Sequence, residues 1–433
     1  MLYSIVRPIA TLGIRIFYRK IYLSNVQHIP RNKPVILAAN HPTGFMEPCI
    51  LACHLDRPLY YLVRGDFFKK PLYRSLLQSL HMLPVYRVKD GGLSVVKNNY
   101  ETFDNCYNAL RENKTMMILA EGSAEHEKRL RPLKKGTGRV ALGTLERYPD
   151  LEDVYIVPVG VNYTYAEFPR SEVMIDFGEP ISARKFLSTY KQNQNQAIND
   201  LTDELSKRMA ERIVIIEHKS DEQLTEYLLQ MDRTKRPIPV FPIVGHQREP
   251  LEAEKRIANA VNALPEDNKT DLLNKTKTYF KQLHKIGVND AVLLQGKKNP
   301  LLSGLLLLIG LPIFVIGFLL NALPIVIANA LMQKRVRRPE FKAPVLWAIS
   351  LGTYLIWWLL WLILLLIFTP LIGLLWLIIM PILGYAAILY IEYYKKVRQQ
   401  LKLNKLNKKQ YQELSDLREQ IINSFTAQTS NNQ

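Results

Sequence analysis

The sequence predicts an α/β domain, followed by a helical region and by C-terminal transmembrane helices. In the first 180 residues, four short apolar runs each lead into a loop with polar residues, as buried strands of a helix-flanked sheet do. These runs lie at residues 34–39, 80–85, 116–120 and 154–161. Toward the C-terminus, residues 299–333 and 343–391 contain no charged side chain. Because one membrane crossing needs about 20 apolar residues, both blocks are expected to be embedded in a membrane.

The motif NHPTGFMEP at residues 40–48 follows the first apolar run. His41 is therefore expected where a buried strand opens into a loop. A neutral imidazole can take a proton from an alcohol on one nitrogen while a carboxylate holds the other N–H. Pro42 and Gly44 would let the loop fold back and bring Glu47 to His41. This pattern predicts general-base catalysis on a hydroxyl group, with His41 as the base.

Three further motifs follow in order along the chain. They are LHMLPVYR at residues 80–87, MMILAEGS at 116–123 and VYIVPVGVNY at 154–163. Together with residues 40–48, they resemble the four motifs of the PlsC-like superfamily of glycerol-3-phosphate and lysophosphatidate (1-acylglycerol-3-phosphate) acyltransferases. The resemblance covers residues 20–215 and includes VMIDFGEPI at 173–181. It implies a PlsC-like acyltransferase domain with a sheet flanked by helices.

The resemblance also implies a role for each matching residue. His41 would be the general base, and Glu47 would be the carboxylate that orients it. The residues assigned to substrate binding are Arg87, Glu121, Gly122, Ser123, Lys135 and Gly136. Among them, Arg87 would bind the phosphate of the acceptor, and residues 121–123 would form the floor of its site.

Two positions depart from the family pattern. The carboxylate is Glu47 with five intervening residues, where the family commonly has Asp with four; the longer spacing occurs in some glycerol-3-phosphate acyltransferases. The third motif lacks the family's arginine, and Arg129 or Arg131 is the candidate replacement. The acceptor is thus glycerol 3-phosphate, lysophosphatidate or another lipid such as an amino-acid lipid. A catalytically inactive membrane scaffold is the alternative from another class.

The implied reaction transfers a fatty acyl group from a thioester, acyl-CoA or acyl-acyl carrier protein, to the acceptor hydroxyl without an acyl-enzyme. No cofactor is expected beyond this co-substrate. Cys49, Cys53 and Cys106 stand in no metal-ligand or redox spacing, and Cys49 and Cys53 are expected to be small apolar core residues. The histidines other than His41 are scattered singly, so no metal site is expected.

Basic residues flank both apolar blocks. Lys297 and Lys298 precede the first block, and four lysines and arginines follow it at 334–338. By the positive-inside rule both ends are expected in the cytoplasm, which predicts a hairpin or a re-entrant pair. The second block divides near Thr369 and Pro370 into a second hairpin. The sequence therefore predicts an integral membrane protein whose catalytic domain lies on the cytoplasmic face of the plasma or inner membrane.

The formal net charge of +18 is expected for a protein at an anionic membrane surface that binds phosphate-bearing substrates. No nucleic-acid motif accompanies it, so no nucleic-acid partner is expected. The expected partners are membrane lipids, acyl-CoA or acyl carrier protein, and a phosphate-bearing lipid acceptor.

The predicted organisation has five parts. They are an interfacial N-terminal helix at 1–23, an acyltransferase domain at 24–233, a linker and helical region at 234–296, a transmembrane region of two helical hairpins at 297–394, and a basic helical tail at 395–433 with a disordered end from Thr426.

Overall fold

The computed structural model describes residues 2–86, 99–236 and 238–430. The chain divides into two compact units. The first comprises Met1–Ile215, Val240–Glu252 and Val336–Trp347, and the second comprises Ile216–Pro239, Ala253–Arg335 and Ala348–Gln433. The described strands all belong to the first unit, and the second unit is helical.

The first unit is built on one mixed sheet. Its strands are β1 (Lys20–Ser24), β2 (Val35–Ala39), β3 (Leu59–Arg64), β4 (Met82–Val85), β5 (Thr115–Leu119), β6 (Tyr155–Tyr163), β7 (Glu172–Phe177), β8 (Ile181–Ser182) and β9 (Val244–Gly245). Their order is β4-β3-β5-β2-β6-β7-β1-β9, with β8 paired to β6. β6 runs antiparallel to β7 and β8, whereas the other pairs are parallel. The predicted α/β class is confirmed.

Seven helices of the described residues accompany this sheet. They are α1 (Leu2–Phe17), α2 (Met46–His54), α3 (Pro71–Ser79), α4 (Asn99–Arg111), α5 (Gly136–Arg147), α6 (Leu187–Gln192) and α7 (Gln194–Ala210), with short 3-10 turns at Val26–His28, Gly65–Phe68 and Ala183–Phe186. The core lies where α5 and α7 pack against the sheet, around side chains such as Leu142, Leu201 and Leu205. All five residues of β2 are buried, which explains why the apolar run before His41 has no polar face.

The N-terminal helix is shorter than predicted. It ends at Phe17, and residues 20–24 form β1 instead of completing a helix to residue 23. These five strand residues are all buried and pair in parallel with β7, so pairing and burial decide their conformation. On α1, Ile14 and Phe17 are buried, whereas Ile5 and Leu12 are each 54% exposed. One face of the helix packs on the domain, and the opposite face carries apolar side chains that are exposed on the protein surface.

The remaining helices are α8 (Glu222–Arg233), α9 (Glu249–Asn262), α10 (Glu266–Ile286), α11 (Asp290–Leu294), α12 (Leu301–Arg335), α13 (Pro339–Phe368), α14 (Pro370–Asn404) and α15 (Lys408–Ser430), with a 3-10 turn at Lys219–Asp221. In the second unit, an apolar core includes Tyr279, Leu283 and Leu414. A buried ion pair joins Arg418 to Asp290 at 2.8 Å. The predicted disorder from Thr426 is wrong as far as Ser430, because α15 continues to that residue. Residues 431–433 lie outside the described residues.

Three helices of the described chain, α12, α13 and the part of α14 from Leu375, are long and apolar enough to cross a membrane. The first apolar block forms one helix, not the predicted hairpin, with Pro312 and Pro324 inside it. Proline is tolerated within membrane helices because neighbouring groups satisfy the freed backbone acceptors. The second block does break at Thr369, as predicted. The predicted cytoplasmic placement of the basic flanks stays a prediction.

Candidate active site

The parallel pairing of β2 with β5 brings two predicted motifs together. Ala39 lies opposite Leu119 in the register of these strands, so the loops that follow them emerge at the same edge of the sheet. In α/β sheets this carboxyl edge is where ligands bind. Residues 40–46, here called the catalytic loop after the role predicted for His41, follow β2, and Glu121 follows β5.

The side chain of His41, in this loop, lies next to that of Glu47, in the first turn of α2. The Nδ1 atom of His41 is 3.4 Å from Oε2 of Glu47, which is longer than a strong hydrogen bond. Catalytic hydrogen bonds are often long before substrate binds. Glu47 is in the first turn of α2 and fully buried, and His41 is 9% exposed. With Nδ1 facing the carboxylate, Nε2 is the nitrogen left for a substrate proton.

Two residues that sequence reasoning missed hold Glu47 in place. Oε1 of Glu47 accepts hydrogen bonds from the backbone N–H and the hydroxyl of Thr43, at 2.9 and 2.7 Å. The Tyr163 hydroxyl is 3.3 Å from the same oxygen. Burial, together with the charge of Glu47, raises the pKa of Tyr163 well above its usual value, so the phenol stays protonated and donates. These contacts occupy Oε1 and leave Oε2 facing His41.

Asn40 fixes the start of the catalytic loop. Its side-chain amide donates to the Val161 carbonyl at 2.9 Å, and its side-chain oxygen accepts from the Val161 N–H at 2.7 Å. This two-way bond ties the end of β2 to β6. Asn40 stands in the first motif, but its amide gives no periodic signal in the sequence that would have identified this role.

Glu121 is held by groups of the protein itself. One carboxylate oxygen accepts the backbone N–H of His41 at 2.7 Å and the Arg131 guanidinium at 2.8 Å. The other accepts the backbone N–H of Arg131 at 2.8 Å. The Glu121 side chain is 2% exposed. It therefore fixes the His41 backbone and Arg131 relative to each other, and its place in the floor of the acceptor site, which the resemblance implies, stays a prediction.

Arg131, not Arg129, occupies the place beside the third motif. Its guanidinium donates to Oγ of Ser123 at 3.0 Å and to Glu121, whereas Arg129 pairs with Glu127 at 2.9 Å. Of the two candidate replacements for the missing arginine, Arg131 is the one that contacts the motif.

The other residues of the predicted acceptor site lie near the same edge, where the structure describes them. Gly122 has a positive φ of 73° in the turn after β5, a conformation that favours glycine. The Lys134 N–H donates to the Ala120 carbonyl at 2.7 Å, which places Lys135 and Gly136, at the start of α5, beside the end of β5. Arg87 lies outside the described residues.

Among the described residues, no group of three or more His, Cys, Asp and Glu side chains could hold a metal ion. The three cysteine thiols are free. Cys53 and Cys106 are buried, and Cys49 is half-buried.

Alkylation of Cys106 in the folded protein is expected to be slow. The residue is 1% exposed, and burial raises the pKa of its thiol to about 12. Because the thiolate is the reactive form, iodoacetamide at pH 8 should label Cys106 at least about 100-fold more slowly than in denatured protein. Mass spectrometry of labelled peptides would measure this ratio, with denatured protein as the control. Labelling at equal rates would show that the thiol is accessible and ionised.

Comparison with known proteins agrees with this architecture. Residues 20–162 match the family model described as Acyltransferase. Glycerol-3-phosphate O-acyltransferase 1 of Saccharomyces cerevisiae is 26% identical over 206 residues, which cover 46% of this chain and 26% of that protein. Glycerol-3-phosphate O-acyltransferase 2 of the same yeast is 24% identical over 212 residues, covering 47% and 27%. The chain thus spans about a quarter of the length of these relatives.

Among solved structures, the 1-acyl-sn-glycerophosphate acyltransferase PlsC from Thermotoga maritima aligns with a TM-score of 0.35 and 18% identity, over 47% of this chain and 77% of that one. The ordered motifs and the matching family model place residues 20–162 in the Acyltransferase family. This region is a PlsC-like domain of the glycerol-3-phosphate and lysophosphatidate acyltransferase superfamily, as the motifs predicted.

Proposed function

We propose that this protein transfers a fatty acyl group from a thioester to a hydroxyl of glycerol 3-phosphate or of lysophosphatidate, in phospholipid synthesis. The observation that carries the proposal is the His41–Glu47 pair, with Nδ1 of His41 3.4 Å from a fully buried carboxylate. A positioned imidazole with one free nitrogen is what abstraction of a hydroxyl proton requires.

In the proposed reaction, Nε2 of His41 takes the proton of the acceptor hydroxyl as its oxygen attacks the thioester carbonyl. Glu47 stabilises the imidazolium that forms and keeps its Nδ1–H in place. The C–S bond then breaks, an ester remains on the acceptor, and the imidazolium returns the proton to the departing thiolate. Because the acceptor oxygen is itself the nucleophile, no acyl-enzyme is needed, and no cofactor takes part beyond the acyl-CoA or acyl-acyl carrier protein co-substrate.

Glycerol 3-phosphate is the acceptor that we favour. The two yeast relatives carry glycerol-3-phosphate O-acyltransferase in their names. The five-residue spacing between His41 and Glu47, which also occurs in some glycerol-3-phosphate acyltransferases, points the same way. Lysophosphatidate differs by one acyl chain and shares the phosphate, so it is the matched comparison for the assay.

We place the reaction at a membrane, on its cytoplasmic face. The three apolar helices support membrane attachment. The cytoplasmic side is supported by the basic residues at 334–338, between α12 and α13, because lysine and arginine concentrate in cytoplasmic loops. Thioester acyl donors are also made there. Membrane lipids and the phosphate-bearing acceptor are the partners this location implies.

The proposal is tested by acyl transfer in membranes that contain this chain. Glycerol 3-phosphate and lysophosphatidate are offered separately, each with acyl-CoA and with acyl-acyl carrier protein, and membranes with the His41→Ala variant serve as the blank. His41-dependent product from glycerol 3-phosphate would support glycerol 3-phosphate as the acceptor. Product from lysophosphatidate alone would place the enzyme at the next acylation step of phospholipid synthesis. Absence of product from both, with folded protein in the membrane, would overturn the proposal.

A further inference from the structure

The catalytic loop is covered by a segment more than 290 residues further along the chain. We call residues 336–347 the docking segment; they belong to the same compact unit as the sheet. The backbone N–H of Gly44 donates to the Glu340 carbonyl at 2.8 Å. The Glu340 residue is 6% exposed and Ala343 is 1% exposed, so the segment is packed against the domain at this point.

Phe341 occupies the space that a side chain at Gly44 would fill. A Cβ atom built on Gly44 would lie 2.5 and 2.7 Å from two carbon atoms of the Phe341 ring. These distances are far below van der Waals contact, near 3.5–4.0 Å between carbons. Gly44 has no positive φ, so its backbone would accept an L side chain. The ring of Phe341 is therefore what requires glycine at this position, three residues from His41.

Polar contacts attach the docking segment to two more loops. The Lys342 ammonium is 2.7 Å from Glu167, which also lies 3.4 Å from Nδ1 of His126. The Arg338 guanidinium donates to the Ala124 carbonyl at 3.4 Å. Glu167 follows β6 and Ala124 follows β5, and both strands run parallel to β2. One short segment thus contacts the loops that follow β2, β5 and β6, which are the strand before His41 and its two neighbours in the sheet.

The same segment begins a candidate membrane helix. Helix α13 starts at Pro339, inside the docking segment, and continues to Phe368 without a charged residue after Lys342. An 18-residue window of this helix has a mean hydropathy of 2.3, in the range of membrane spans. The residues that cover the catalytic loop are therefore continuous in sequence with the apolar part of α13.

We infer that the docking segment is part of the active site. In this segment Phe341 is a positioning residue that holds the catalytic loop. The inference rests on the proposed function for its kinetic readout. Removal of the Phe341 ring frees the loop that carries His41, and a side chain at Gly44 pushes the segment away. Both changes misplace the base, so turnover falls while acceptor binding is retained.

A double-mutant cycle tests this inference on the full chain in membranes. Gly44→Ala is expected to lower kcat about tenfold or more, and Phe341→Ala by a smaller factor, with KM for the acceptor little changed. The double variant should be at least about fivefold more active than Gly44→Ala alone, since removal of the ring makes room for the new methyl group. Gly352→Ala on the same helix is the matched control, because a Cβ there meets nothing within 4 Å. Additive losses, or full activity of Gly44→Ala, would overturn the inference.

Hydrogen exchange supplies a readout that needs no enzymatic activity. The Gly44 amide is expected to exchange slowly in the wild type because it donates to Glu340, and faster in Phe341→Ala and in Lys342→Glu. In Lys342→Glu combined with Glu167→Lys, the ion pair is reversed and slow exchange should return. If the Gly44 amide exchanges slowly only when Phe341 is present, the contact is supported. If the same protein shows no acyl transfer, the proposed function is rejected while the contact stands. Fast exchange in the wild type would reject the contact itself.

Discussion

Replacing His41 by alanine is expected to reduce acyl transfer by about 10²- to 10⁴-fold, the usual contribution of a general base. The loss should fall on kcat, because the imidazole acts on the hydroxyl proton in the transition state and contributes little to ground-state binding. Steady-state rates with saturating acceptor and thioester would measure it. A residual rate within threefold of the wild type would exclude His41 as the base.

Glu47→Gln separates the charge of the carboxylate from its shape. The amide oxygen can still accept the hydrogen bonds from Thr43 and Tyr163. The amide nitrogen then faces Nδ1 of His41 as a donor, so the imidazole must carry its proton on Nε2 and can no longer take one there. We expect a loss of kcat that approaches that of His41→Ala, with an unchanged melting temperature.

A second histidine–carboxylate pair in the same domain provides the matched control. Nε2 of His28 is 2.9 Å from Glu179, whose side chain is 65% exposed. Glu179→Gln makes the same chemical change away from the carboxyl edge of β2, and it should leave kcat at the wild-type value. Equal losses in Glu47→Gln and Glu179→Gln would indicate a general effect on the domain and not the loss of an oriented base.

The parts of the site that could be predicted from sequence are those with a local signal. The buried strand before His41 was predicted from an unbroken apolar run, and β2 is that strand. The approach of Glu47 to His41 followed from the turn-forming residues Pro42 and Gly44 between them. Such features depend on neighbours within a few positions, where residue type and backbone conformation are directly linked.

The parts that were missed depend on contacts between distant residues. The Asn40 amide pairs with Val161, and Gly44 lies under Phe341, and neither partner is marked by any periodicity. Helix α12 was predicted as a hairpin or a re-entrant pair because basic residues flank both ends of an apolar run that exceeds one crossing and contains prolines. The length and composition of an apolar run do not determine whether a proline bends a membrane helix or ends it, because contacts with neighbouring helices decide this.

The Glu121–Arg131 pair gives the largest expected effect on stability. The two side chains are 2% and 14% exposed, and the carboxylate also accepts the His41 backbone N–H. Arg131→Ala leaves this buried charge without its cation, which typically destabilises a protein by about 3–5 kcal/mol. Exchange of the slowest β5 amides would report the loss of stability in the catalytic domain. Acyl transfer should fall with it, because the carboxylate that holds His41 is no longer fixed.

Two further variants distinguish loss of the pair from loss of an arginine. Arg129→Ala removes a partly exposed pair with Glu127, so it should cost only about 0–1 kcal/mol. Glu121→Gln, added to Arg131→Ala, removes the uncompensated charge but keeps an oxygen for the His41 N–H, and it should recover part of the lost stability. If Arg131→Ala cost no more than Arg129→Ala, the Glu121 carboxylate would have to be accessible to water, and the role of Arg131 in fixing the His41 backbone would be rejected. If the double variant instead recovers stability without activity, the guanidinium contributes to the reaction beyond its support of Glu121, through its contact with Ser123.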